Sequence, residues 1–258
     1  EQSFGHAPLV GAGRLADKGA MDQAMALRGM RTAGGWLLDF ALPPRCPGCG
    51  EITPAVDLFC GTCWGTLDFL GSGCDRCGQA LAPGEEGICL SCEQDKGPLD
   101  RVRAALAYGE VPRSIAMRLK YGRKIALAKT MAGMMKRRLA DLDPEATLIP
   151  VPLHRWRLWG RGFNQSVLIA KALGRPFDPD LLRRSRATPR LKGLNPAQRR
   201  KTVAHAFALR PGAEVKERAF ILVDDVMTTG ATAEACAGLL RKHGARSVEL
   251  LAFARVLR

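Results

Sequence analysis

Near the C-terminus, five apolar residues run straight into two aspartates, and no other stretch restricts the fold of this chain as tightly. Ala219-Phe-Ile-Leu-Val223 is unbroken by polar residues, the pattern of a strand covered on both faces of a parallel sheet. Asp224-Asp225-Val226-Met227-Thr228-Thr229-Gly230 follows as a loop, and Ala231 to His243 reads as a helix. Arg241, Lys242 and His243 occupy its last turn, where cations complement the helix dipole, and Gly244 suits the left-handed cap beyond it. Val248 to Phe253 is a second apolar strand. Strand, loop, helix and strand make a βαβ unit, which implies an α/β fold with a parallel sheet.

The loop inside this unit carries the chemistry. Between a strand end and a helix N-terminus, several backbone N–H groups lack partners and can hold a phosphate. Thr228, Thr229 and Thr232 add hydroxyls, and Gly230 lets the backbone of Ala231 and its neighbours approach a ligand. Asp224 and Asp225 sit at the carboxyl end of the strand, where open α/β sheets bind ligands. Carboxylates accept hydrogen bonds from sugar hydroxyls, so acids beside a phosphate cradle read as a ribose-phosphate site. A solvated turn followed by an ordinary helix N-terminus is the bland reading of the same residues. The string resembles the 5-phosphoribosyl-1-pyrophosphate (PRPP) signature of type I phosphoribosyltransferases: four apolar residues, two acids, two variable residues, then Thr-Thr-Gly and further small residues. The chain has no GxxxxGK[ST] and no strand-borne GxGxxG, which argues against a P-loop or dinucleotide site.

Eight of the nine cysteines form four Cys-x-x-Cys pairs: Cys46 and Cys49, Cys60 and Cys63, Cys74 and Cys77, Cys89 and Cys92. Gaps of 10, 10 and 11 residues separate them. Each pair supplies half of a tetrahedral thiolate site, so the segment predicts two four-cysteine sites holding two structural Zn2+ ions. An iron–sulfur cluster and thiol redox chemistry are the other readings. Sequential pairing, first with second and third with fourth, keeps each loop short, and cross-bracing is the alternative. Such sites are purely structural or also contact nucleic acid or proteins. Paired knuckles with Cys236 left over suit a metal better than disulfides, and so a reducing, cytoplasmic setting. Cys236 itself, among alanines, reads as a core residue.

Elsewhere, Trp36 to Leu42 reads as a short helix stopped by Pro43-Pro44, and Val102 to Tyr108 as a strand. Pro112 can open a helix. Ile125, Ala128, Ala132, Met135 and Leu139 have helical spacing, Thr147 to Val151 reads as a buried strand, and Asn164 to Leu173 as a helix ended by Gly174. Residues 149–166 read as a strand end, a basic glycine-broken loop with Arg155, Arg157 and Arg161, and a helix start.

Five pieces in register resemble the ComF family, competence-linked bacterial proteins of the type I phosphoribosyltransferase kind with an N-terminal double zinc ribbon. They are the cysteine pairs, Leu119-Lys120-Tyr121-Gly122, Val151-Pro152-Leu153 through Arg161-Gly162-Phe163-Asn164-Gln165-Ser166, residues 186–207, and the Asp224-Asp225 loop. The likeness spans roughly residues 36–256. Two departures stand out: Leu191 where the family often has glutamine, and Lys201-Thr202 where an Arg-Asn pair is common. Residues 1–35 read as a poorly ordered tail, and the resemblance implies a double zinc ribbon over 36–95 and a parallel-sheet phosphoribosyltransferase-like domain over 100–258. It implies that Thr228, Thr229, Gly230, Ala231 and Thr232 hold a 5-phosphate. Asp224 and Asp225 accept from the ribose and favour positive charge at C1, and Val151, Pro152 and Leu153 form a pyrophosphate loop. Arg161 and Lys120 neutralise the leaving group, with Asn164 and Gln165 as neutral hydrogen-bonders beside them. PRPP with Mg2+ is the implied ligand and phosphoribosyl transfer to an unknown acceptor the implied reaction. The rival is a non-catalytic single-stranded-DNA-binding protein of DNA uptake, working with competence-machinery proteins.

Charge bears on that rival. The formal net charge is +14, and residues 111–140 and 181–205 carry nine and eight Lys/Arg with no acid. Trp156, Trp159 and Phe163 lie among arginines, as in grooves that track single-stranded nucleic acid. A solvated positive face, or a field that draws in polyphosphates, explains the charge equally. With 47% hydrophobic and 25% charged residues the chain is globular, and no apolar run is long enough to span a bilayer.

Overall fold

The computed structural model describes residues 43–71, 73–81, 86–185 and 205–257. The helix expected over 36–42 and the two departures at Leu191 and Lys201-Thr202 lie outside the described residues. In chain order the elements are α1 (Gly61–Gly65), α2 (Leu90–Gln94), β1 (Arg101–Ala107), α3 (Glu110–Tyr121), α4 (Leu127–Leu139), β2 (Thr147–Pro150), α5 (Arg155–Arg161), α6 (Gln165–Leu173), β3 (Leu182–Arg184), β4 (Phe207–Leu209), β5 (Ala219–Met227), α7 (Ala231–Lys242) and β6 (Ser247–Arg255).

Four strands form one parallel sheet in the order β1-β6-β5-β2. β5 lies inside it because its apolar residues alternate between two covered faces. Ile221 and Val223 join Leu148, Leu251 and Phe253 under α3, α4 and α6. Phe220 and Leu222 join Ile149, Val248 and Leu250 under α7. Buried Cys236 belongs to that second layer, as expected of a core residue. β3 and β4 pair antiparallel as a separate two-stranded sheet; neither strand stands out in the sequence, because three residues are too few to show a period.

Two expectations change. The strand continues past Val223 to Met227, with Asp224, Val226 and Met227 in register with Ala252, Ala254 and Arg255, so the acid pair belongs to β5 and the loop starts at Thr228. Residues 155–161 form a helix, not a loop. His154 caps it by accepting from the Trp156 amide at Nδ1 (3.4 Å), and Gly162, at φ 82°, ends it with its N–H on the Leu158 carbonyl at 2.7 Å.

The cysteine segment docks on the sheet and on α3, and Val102 N–H on the Arg76 carbonyl (2.6 Å) ties its second half to β1. Residues 68–70 lie against the outer edge of β1, with Leu70 N–H on the Ala105 carbonyl (3.1 Å) and Ala107 N–H on the Asp68 carbonyl (2.9 Å), which covers an edge strand. Arg118 of α3 donates to the carbonyls of Pro47 (2.8 Å) and Gly48 (3.2 Å), and Ser114 Oγ donates to Gly48 (3.0 Å).

Candidate functional site

β5 delivers Asp224 and Asp225 to the carboxyl edge of the sheet, and α7 begins a few residues later at Gly230. Gly230 holds φ 82°, and a Cβ there would lie 2.9 Å from Met227 Cε, so the turn into the helix needs glycine. Asp224, Thr228, Thr229, Gly230, Ala231 and Thr232 line one small cavity of about 40 Å³ at this helix N-terminus. A water needs about 10–15 Å³ of such space, so the cavity has room for a few water-sized groups, enough for one compact anion. The amides of residues 225–227 belong to β5, which confines the candidate cradle to Thr228–Thr232.

The two aspartates part company, as neighbours on a strand do. Asp224 keeps some exposed surface. Its Oδ1 accepts from the Asp225 amide (2.9 Å) and from Ser166 Oγ (3.4 Å). Enclosure by protein, and then the adjacent Asp225 carboxylate, push its carboxyl up to about 7, against the pull of Lys120. Asp225 is 3% exposed and does not line the cavity. Its Oδ1 accepts from Gln165 Nε2 at 3.3 Å, and its Oδ2 forms an ion pair with the Lys120 ammonium. That pair is close enough to count as the partner of Oδ2, although its angles fall short of a hydrogen bond. A buried carboxylate needs such a cation, which is why Lys120 is found here.

From this pair a polar chain runs outward. Arg161 donates to Gln165 Oε1 (3.1 Å) and to the Tyr121 hydroxyl (3.2 Å), and its guanidinium lies 5.0 Å from the centre of the Tyr121 ring. α3, α5 and α6 therefore bring Lys120, Tyr121, Arg161 and Gln165 to the end of β5. Asn164, the N-cap of α6, accepts from the Ser166 amide (3.0 Å) and donates to the Val151 carbonyl (3.1 Å), tying the segment after β2 to the same corner. Val151 is buried, whereas Pro152, Leu153 and Asn164 line a larger, mostly apolar cavity of about 510 Å³ with Leu158, Phe163 and Leu182. Sequence reasoning missed Tyr121 and Ser166 as members of this cluster. Both stand inside matching segments, but nothing in their spacing marks them. His154 is 8% exposed, and burial followed by Arg184, Arg155 and Arg157 holds its imidazole below the ordinary range, in keeping with its use as an acceptor.

The cysteines gather as two sets, Cys46, Cys49, Cys60 and Cys63, and Cys74, Cys77, Cys89 and Cys92, with the sulfurs of each set within 4.8 Å of one another. This is the sequential pairing. Zn–S bonds of about 2.3 Å place tetrahedral sulfurs about 3.8 Å apart. Cys49 and Cys60 Sγ are 3.6 Å apart, and Cys77 and Cys89 Sγ 3.8 Å, so both sets fit zinc. The knuckles repeat one another: Cys60 N–H meets Cys46 Sγ at 3.3 Å, and Cys89 N–H meets Cys74 Sγ at 3.3 Å. Gly50 and Gly78, both at positive φ, turn each chain back to the carbonyls of Cys46 and Cys74. Burial opposes ionisation of Cys46 and Cys74, but the backbone amides around them prevail and hold both thiols down at about 6, favouring the thiolate a metal needs. Burial and neighbouring sulfurs push Cys63 and Cys92 the other way.

Residues 37–94 match the family described as the double zinc ribbon domain. Competence protein F of Haemophilus influenzae is 30% identical over 224 residues, covering 82% of this chain and 96% of that protein. DNA utilization protein YhgH of Escherichia coli O157:H7 is 31% identical, covering 71% and 84%, and competence protein ComFC of Streptococcus pneumoniae 26%, covering 82% and 100%. Among solved structures, a hypoxanthine phosphoribosyltransferase from Staphylococcus aureus superposes on 48% of this chain and 61% of its own, at 12% identity and a TM-score of 0.33. A structure of the allosteric regulatory enzyme of purine biosynthesis superposes on 53% of this chain and 30% of its own, at 19% identity and a TM-score of 0.34. Superpositions of that size carry no argument. The fold class, a parallel-sheet α/β fold of the type I phosphoribosyltransferase kind preceded by a small zinc-ribbon module, rests on the strand order, the β5–α7 unit and the cysteine sets. Among the described residues no helix is long and apolar enough to cross a membrane.

Proposed function

The chain belongs to the ComF family of competence and DNA-utilization proteins, and from that premise we propose that it binds PRPP, or a ribose phosphate like it, with Mg2+ at the carboxyl end of β5. One observation carries the reading: an acid of raised pKa and a glycine-turned helix N-terminus line a single cavity sized for a compact anion. The amides and hydroxyls of Thr228–Thr232 hold the 5-phosphate. Asp224 accepts from the ribose hydroxyls, and Asp225, paired with Lys120 and bonded to Gln165, ties α3 and α6 to the end of β5 beside it. Arg161, with Asn164 and the Val151–Leu153 segment, faces the pyrophosphate end. Mg2+ prefers one or two carboxylates plus substrate oxygens. Asp224 is the carboxylate suited to it, since Asp225 already has a cation. Bound Mg2+ would neutralise charge on the pyrophosphate as it leaves. Transfer to an acceptor then draws on preorganised charge around C1. The two cysteine sets hold two structural Zn2+ ions.

Calorimetric titration with PRPP and Mg2+ tests this. The wild-type chain binds, and Asp224→Asn with Asp225→Asn loses at least tenfold in affinity. Unchanged affinity in the double variant sinks the site.

A second reading has its own observation. On α5, Trp156 and Trp159 are 60% and 81% exposed, 5.9 Å apart, beside Arg155 and Arg157. Exposed aromatics among cations stack bases of single-stranded nucleic acid. The relatives named for competence and DNA utilization favour that role for the same molecule.

A further inference from the structure

The second cysteine knuckle leans over the start of the phosphate loop. Between them lies a cleft of about 210 Å³ whose walls include Cys77, Gln79, Met227, Thr228, Thr229 and Arg255. Arg255 is the last residue of β6, in register with Met227. Its backbone is fixed on both sides, by Tyr108 N–H on its carbonyl (2.7 Å) and Val256 N–H on the Met227 carbonyl (2.9 Å). Its guanidinium donates through Nη1 to the Cys77 carbonyl. The residue is 7% exposed, no ion pair involves it among the described residues, and its buried Nε has no hydrogen-bond partner. A guanidinium at a cavity wall with no carboxylate partner among the described residues carries an uncompensated charge, which an anion in the cavity would neutralise.

The other arginine of this cleft cannot serve. Arg76 spends its donors on the carbonyls of Leu99 (3.1 Å), Cys92 (3.4 Å), Gly97 (2.8 Å) and Lys96. Asp95 accepts from the Gly97 amide at 3.1 Å, and Glu234 also borders the cleft. Two carboxylates nearby repel any anion, a polyanionic chain most of all.

We propose that Arg255 is a phosphate ligand, reaching from the second zinc knuckle to the 5-phosphate held by Thr228–Thr232, so that the second cysteine set and not the first governs phosphate affinity. This rests on the ribose-phosphate reading of the cradle. The ligand class is a sugar phosphate monoester. Arg255 supplies the charged, forked donor set that the backbone amides lack.

Titration of the full, zinc-loaded chain with inorganic phosphate and with ribose 5-phosphate tests the inference. Arg255→Gln weakens both by tenfold or more, and Arg255→Lys, which keeps the charge, loses less. Asp224→Asn with Asp225→Asn weakens ribose 5-phosphate, whereas the Arg255 variants lower inorganic phosphate and ribose 5-phosphate by a similar factor. Wild-type phosphate affinity in both Arg255 variants overturns the role of Arg255 while leaving the ribose site standing. Wild-type ribose 5-phosphate affinity in the double aspartate variant overturns the ribose site instead. Zinc content measured alongside separates the knuckles. Cys92→Ser weakens phosphate more than Cys49→Ser, and equal effects break the link to the second set.

Discussion

Asp224 meets opposition to its charge from several sides. Enclosure and the Asp225 carboxylate beside it on β5 oppose ionisation, whereas Lys120 of α3 and the hydroxyl donated by Ser166 of α6 favour it. Its carboxyl is pushed up to about 7 by enclosure first and Asp225 second. The sign follows. A raised folded-state pKa contributes stability below the ordinary value of 3.8, and that contribution is lost as pH climbs through about 7. Ligand binding runs the opposite way, because ribose hydroxyls and Mg2+ want the carboxylate. Between pH 6 and 8 the ionised fraction of Asp224 rises about tenfold for a pKa near 7. The ratio of PRPP association constants, wild type over Asp224→Asn, should climb by about that factor. Ionisation of PRPP itself cancels in the ratio, and a flat ratio across that range removes Asp224 from ligand contact. At this scale the acid pair and the Thr-Thr-Gly loop were legible from residue order alone. The divergence of Asp225 toward Lys120 was not, since it depends on a helix about a hundred residues earlier in the chain.

Elements explain why two small knuckles with little core of their own hold a defined place. The first rests on α3 through Arg118 and Ser114, and Gly48 packs so closely that a Cβ would lie 2.7 Å from Cys63 Sγ. Hydrogen bonds from a charged donor contribute about 2 kcal/mol. Arg118→Ala should therefore loosen the first cysteine set, giving faster zinc release to a chelator from one of two sites while the second keeps its rate. Uniform release rates would show that Arg118 does not hold the first knuckle. Helix and strand positions were largely readable, because apolar alternation, Asn164, Gly174 and Gly244 are local marks. α5 was misread as a loop. Its three arginines and Gly160 hide the pattern, and its caps, His154 and Gly162, become visible only once the backbone is folded.

Across the whole molecule the charge of +14 and the exposed tryptophans of α5 point to a polyanion as a second ligand. Single-stranded DNA binding should fall steeply with salt, as counterion release requires. Trp159→Ala should cost about 1–3 kcal/mol of that binding and leave PRPP titration unchanged. Equal DNA affinity in the variant, or a flat salt dependence, removes α5 as a stacking surface. Taken by itself, the amino-acid order determined much that depends on near neighbours: the buried strand of apolar residues, the ends of α6 and α7, the loop after the acid pair and the four thiol pairs. Periodicity and turn chemistry act over a few residues, so they can be read without a fold. The tertiary structure alone decided which thiols meet, which aspartate faces the cavity, and that Arg255 reaches the Cys77 carbonyl. Those contacts join residues tens to nearly two hundred positions apart, and only the packing of helices and knuckles on the sheet brings them within bonding distance.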